Sequence, residues 1–213
     1  MHVWLGIFIL TMTLMSCGEI SRLGPATEDR LASESQNSCG FVQNSYGHRI
    51  SWKKNVPVTL MIHPSFPPEF VPVLKNAARH WEEAAGMTLF KFKDGSASLA
   101  NSSKKDGANV ISWLSNWSDE KRSQQAVTTL YWRGIYILEA DLNINAKDFL
   151  YFVDNYDSPL EIHLNSLLIH ELGHILGLKH RNDAPTVMWA VLNGAIKRDT
   201  LTAADRTTIK CEY

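Results

Sequence analysis

The stretch "HELGHILGLKH", residues 170 to 180, sets three histidines, one glutamate and two glycines close together. His170 and His174 are four positions apart, one turn of an α-helix, so both imidazoles can reach one point from the same face. His180 lies six positions further on. On a continued helix it would stand roughly 9 Å along the axis and about 240° around from His174, out of reach of the other two. The helix must therefore stop, and Gly177 is placed to stop it, because glycine enters a left-handed turn without steric cost. The chain can then fold back and return His180 to the first pair. Leu164, Leu167, Leu168, Leu172, Ile175 and Leu176 give this helix extensive burial.

Three neutral imidazoles leave one position of a tetrahedral zinc shell open, the arrangement of a catalytic rather than a structural site. Glu171 follows the first histidine directly, where a carboxylate can take the proton of an attacking water. A helix bearing ordinary hydrogen-bonded histidines is the plain alternative. Five fixed residues at this spacing arise by chance on the order of once in ten thousand chains of this length. Two further alternatives stay open: a metal-binding or adhesion module without turnover, and a structural envelope lipoprotein in which the motif is incidental. An intact Glu171 argues against the first, since ligation does not need that carboxylate.

The pattern resembles the HExxHxxGxxH consensus of the metzincin metallopeptidases. Met188, in "APTVMWA" eight residues after His180, is placed like the methionine of the turn beneath the metal in the matrixin branch. "ARHWEEAAGMTLFKF" resembles the matrixin first helix and second strand, "ILEADLNIN" the edge strand above the cleft, and "LTAADRTTI" the final helix. Trp189 and Ala190 replace the tyrosine and proline that often follow the methionine, and Ala204 replaces an acidic residue of the last helix. The resemblance covers roughly residues 50 to 213. It implies an α+β fold of metzincin type: a twisted, mostly parallel sheet with an antiparallel edge strand, two long helices and a C-terminal helix. It also implies a zinc metalloendopeptidase acting on protein or peptide substrates as a monomer, with His170, His174 and His180 as ligands and Glu171 as general base. A substrate would then add itself as a strand beside residues 137 to 144.

The rest of the chain fits an exported single domain. Its 213 residues, 45% apolar, suffice for one core, and a net charge of −1 excludes the broad basic footprint of a nucleic-acid binder. "VWLGIFILTMTLM", residues 3 to 15, is an apolar run of signal-peptide length, shorter than a membrane span. Leu14, Ser16 and Cys17 after it resemble the lipobox of bacterial lipoproteins, in which the cysteine is lipidated. A plain secretory signal and an uncleaved anchor remain the alternatives. The expected organisation is a signal peptide over 1–16, a lipid-anchored tether over 17–38 and the catalytic domain over 39–213, held at a bacterial envelope or secreted.

Cys39 and Cys211 remain, near the ends of the domain. In an oxidising compartment such a pair reads first as a disulfide. The rival resembles the matrixin latency switch, in which a cysteine ahead of the domain ligates the zinc. "SCGF" keeps its Cys-Gly pair but lacks its arginine, proline and aspartate.

Local pattern completes the reading. "VPVTLMIH" (56–63), "MTLFKF" (87–92) and "NVISWL" (109–114) read as strands. A helix runs from Pro72 to Gly86 with Val73, Ala77, Trp81 and Ala84 inward. In 135–145, Leu138, Ala140, Leu142 and Ile144 alternate with Glu139, Asp141, Asn143 and Asn145, the pattern of a half-buried strand. Thr202 with Asp205 marks a helix start. His48, His63, His80 and His163 read as surface or structural residues.

Overall fold

The computed structural model describes residues 21–22, 38–99, 103–182 and 185–213. The apolar run over 3–15 and Cys17 lie outside the described residues, as does most of the 17–38 tether. Among the described residues, no helix is long and apolar enough to cross a membrane.

The strands are β1 (Ser21–Arg22), β2 (Val58–Ile62), β3 (Phe90–Asp94), β4 (Val110–Leu114), β5 (Ala126–Arg133), β6 (Tyr136–Asn145), β7 (Tyr151–Phe152) and β8 (Ile162–His163). The helices are α1 (Val71–Ala85), α2 (Leu164–Ile175) and α3 (Ala203–Ile209). A six-stranded sheet has the order β1-β5-β6-β4-β2-β3, and β7 and β8 form a separate parallel pair. Every neighbouring pair in the large sheet is parallel except β5 and β6. The fold is thus the mixed α+β sheet expected; β5 is the strand that runs antiparallel to its neighbour β6, and the short β1 follows the direction of β5.

That antiparallel strand is not the one expected. β6 is flanked by β4 and β5, so residues 137 to 144 have no open edge for a substrate. β5 takes that place; among the described residues, only the short β1 pairs on its outer side, at Thr129 and Leu130.

β6 is also more buried than its alternation implies. Ala140, Leu142 and Ile144 face the same side as Leu130, Thr128 and Ala126 of β5, the side against which α2 packs. The polar side is covered by the segment before β4. The backbone N–H groups of Asp106 and Gly107 donate to Glu139, that of Val110 donates to Asp141, and the Asn143 amide meets the Ser103 hydroxyl. Burial raises the Asp141 carboxyl to about 7. The alternation breaks near the strand's start, where Tyr131 faces Glu139 but Trp132 faces Ile137. Leu138 is the extra residue of this bulge and is 48% exposed, while Ile137 turns into the core.

α1 ends where its sequence predicts, with Gly86 in the left-handed conformation. Leu74, Ala77, Ala78, Trp81 and Ala84 form its buried face, so Leu74 takes the place expected of Val73, which is only partly buried. The alanines let α1 approach α2 closely, and the Trp81 indole N–H donates to the Ile169 carbonyl at 2.8 Å. α2 is buried along its whole length. Its last carbonyls are met by distant side chains, Ile175 by the Trp52 indole and Leu176 by the Tyr213 hydroxyl, both at 2.8 Å.

Candidate metal centre

α2 delivers His170 and His174 from one face and then ends in a Schellman turn. Gly177 N–H donates to His174 O and Leu178 N–H to Gly173 O, with Gly177 at φ 97°. Glycine is required there twice over, since a Cβ would stand 2.7 Å from the Ile50 carbonyl oxygen. The returning chain is clamped against residues 40–42: Val42 N–H donates to Gly177 O and Lys179 N–H to Gly40 O. This clamp carries His180 back to the helix.

The three Nε2 atoms converge, 3.0 Å between His174 and each partner and 3.2 Å between His170 and His180. Their protonation follows from their other nitrogens. Nδ1 of His170 lies 2.7 Å from Val187 O, and Nδ1 of His174 lies 2.8 Å from Leu178 O. A carbonyl can only accept, so both Nδ1 atoms carry the proton. Burial, followed by the neighbouring imidazoles, pushes His170 well below the ordinary histidine range and His174 down to about 3. Both rings are therefore neutral, and their Nε2 atoms present bare lone pairs to each other. Such a pair at 3.0 Å repels unless a cation lies between them. The trio is the one group of three or more His, Cys, Asp or Glu among the described residues that could hold a metal ion, and its donor chemistry suits zinc.

Glu171 is fully buried beside this group, and its Oε2 accepts a hydrogen bond of 2.6 Å from the Thr128 hydroxyl. That length is usual for a hydroxyl bonding to a carboxylate. Thr128 was not foreseen from sequence. It stands in β5, within a 115–134 stretch that the reading left without an element, although the β-branched and aromatic run "AVTTLYW" was there to suggest a strand.

Met188 is buried against α2 at Gly173. A Cβ on Gly173 would collide with its sulfur and press on the Trp81 ring, so the first glycine of the motif makes room for the methionine. The turn holding Met188 is fastened to α3. Asp205 closes the capping box with Thr202, receives the Thr186 hydroxyl, and accepts from Val187 N–H at 3.2 Å. Val187 O is in turn the partner of His170, so the last helix orients a member of the histidine trio through one short chain of bonds. Beyond the turn, Arg198 donates to the Trp189 and Val191 carbonyls and Gln125 to the Leu192 carbonyl, fixing the wall that follows.

Cys39 and Cys211 are bridged, their Cα atoms 6.3 Å apart. His163 caps the start of α2 away from the trio, its ring between Ser166 and Val153 O. His63 bonds to Ser65.

The matrixin family model matches residues 52–213, which include α1, the whole histidine trio, Glu171, Met188 and α3. A search of curated proteins found no match.

Proposed function

The chain belongs to the matrixin family, and from that premise we propose that it is a zinc-dependent endopeptidase with Glu171 as general base. The observation that carries this reading is the convergence of three histidine Nε2 atoms, at least two of them bare, beside a buried carboxylate. His170, His174 and His180 would hold the ion. When bound, zinc supplies Lewis acidity, polarising the scissile carbonyl and easing deprotonation of water. Glu171 takes the proton of the attacking water and delivers it to the leaving amine. Thr128 orients the carboxylate through its hydrogen bond to Oε2.

The substrate pairs as an added strand along the outer edge of β5, a correction of the β6 edge expected from sequence. Among the described residues, Ala126, Val127 and Thr128 have no strand neighbour on that side. Pairing of Ser21–Arg22 with the next two residues supports an edge that accepts strands.

Purified domain should contain one zinc per chain. Chelation should abolish peptide cleavage, and zinc should restore it. A metal-free protein that cleaves peptides at the same rate would overturn the proposal.

We also propose export and lipid anchoring through Cys17 at a bacterial envelope, on the lipobox-like residues Leu14, Ser16 and Cys17. Wild-type protein should partition into membranes, and Cys17→Ser should change both its processing and its partitioning. Equal solubility of the two would leave an ordinary secretory signal.

A further inference from the structure

The polar face of β6, turned away from α2, buries two carboxylates. Glu139 is 2% exposed and Asp141 4%. Alternate residues of a strand share a face, so the two stand roughly 7 Å apart along β6. Their cover is the segment from Ser103 to Val110, and it meets them with backbone rather than cations. The Asp106 and Gly107 N–H groups donate to the two oxygens of Glu139, and Val110 N–H donates to Asp141 Oδ1 at 3.0 Å. The Lys104 backbone is a further donor to Asp141. Ser103 latches the cover to the strands beneath, accepting from the Thr129 hydroxyl of β5 and the Asn143 amide of β6.

The charges around Asp141 are one-sided. Glu139 faces it from its own strand and Asp106 from the cover, and Tyr131 of β5 faces the same three carboxylates. β4 brings the Val110 N–H. Among the described residues, neither Glu139 nor Asp141 has an ion-pair partner; the paired Lys and Arg side chains meet Glu83, Asp119 and Glu212 instead. Lys104 and Lys105 of the cover are exposed, so water and salt screen them. A buried carboxylate without a cation is costly when ionised and much less so when protonated. Loss of solvent is the largest influence on Asp141 and brings its carboxyl from 3.8 to about 7. Protonation removes one of three like charges and still leaves an oxygen to accept from Val110.

We infer that residues 103–110 form a pH-sensitive clasp on the polar face of the sheet, tightest when Asp141 holds a proton and loosened when that proton leaves. The closed clasp binds the proton more tightly than an open one, in which water reaches the carboxylate. The advantage of the closed form is therefore complete below 3.8, is lost as the pH rises, and is gone above about 7. The clasp adjoins the strand of the candidate site, since Ser103 is bonded to Thr129, the neighbour of the Thr128 that bonds to Glu171. Hydrogen exchange of the 104–110 amides in the full zinc-loaded chain, corrected for the intrinsic pH dependence of exchange, tests it. Between pH 5 and 7 the opening of the clasp relative to α2 should rise by roughly tenfold or more, then level off. Asp141→Asn is uncharged at every pH and can still accept from Val110, so its profile should be flat over the same range. A flat wild-type profile would overturn the inference, as would a rise that survives in Asp141→Asn. Should that variant fail to fold, carbon-13 NMR of the wild-type Asp141 carboxyl decides. A midpoint near 7 that coincides with the levelling of exchange supports the clasp, and a midpoint near 3.8 overturns it.

Discussion

Glu171→Gln should keep zinc at one per chain while lowering kcat for peptide cleavage by roughly 10²–10⁴-fold, the usual worth of general-base assistance. The substitution preserves the side chain's size at a fully buried position, and the amide oxygen can still accept the 2.6 Å bond from Thr128. What it removes is the ability to take and return a proton. Because Glu171 is absent from the convergent nitrogen trio, the metal should stay. His174→Ala gives the contrasting result: zinc and activity should fall together, since His174 Nε2 stands 3.0 Å from both partners and is central to the trio. Zinc content by metal analysis, set beside single-turnover cleavage rates, separates the two. A Glu171→Gln protein that cleaves at the wild-type rate would sink the mechanism whatever its metal content.

The helices and the histidine trio were legible because each rests on a local rule. A four-residue offset fixes two rings on one face, and Gly177 is the residue a Schellman turn needs, so the return of His180 could be read before any fold was seen. Thr202 and Asp205 announced α3 in the same way. The sheet was less legible, since alternation says which residues share a face but not what covers it. In β6 the polar set Glu139, Asp141 and Asn143 looked solvated. Its covering segment, 103–110, meets those groups with backbone N–H donors and the Ser103 hydroxyl, which leave no periodic trace in sequence. That hidden cover is why β6 resembled an edge strand. The true edge, β5, is buried at Ala126 through Tyr131 on both faces, so its pattern is a continuous run with no alternation to notice. Leu138 was misplaced for a third reason: a bulge shifts the register by one and exchanges inside for outside at Leu138 and Ile137. Thr128, the partner of Glu171, sits in the strand that sequence alone did not reveal.

Removing the Cys39–Cys211 bridge should cost stability first and activity second. The bridge joins residues 172 apart in sequence, and chain-entropy arguments assign a loop of that length about 5 kcal/mol, with measured losses for native bridges of roughly 2–5 kcal/mol. For a domain of this size each kcal/mol lowers Tm by about 2–4 °C, so Cys211→Ser should melt some 5–20 °C below wild type, within roughly that product. The consequence for the site follows from what Cys39 leads into. Gly40 O and Val42 N–H hold Lys179 and Gly177, Phe41 pairs with Leu178, and this segment aims His180 at the other two histidines. A slack N-terminus loosens that clamp, so Cys39→Ser and Cys211→Ser should both bind zinc more weakly, and their activity should fall as the temperature approaches their lowered Tm. A latency switch expects the opposite sign. If Cys39 were a free thiolate on the metal, Cys39→Ser would raise activity at ambient temperature while Cys211→Ser would not, and non-reducing peptide mapping of the wild type would find two separate thiols. A cross-linked peptide containing Cys39 and Cys211, together with matched losses in the two serine variants, is the result the bridged structure requires.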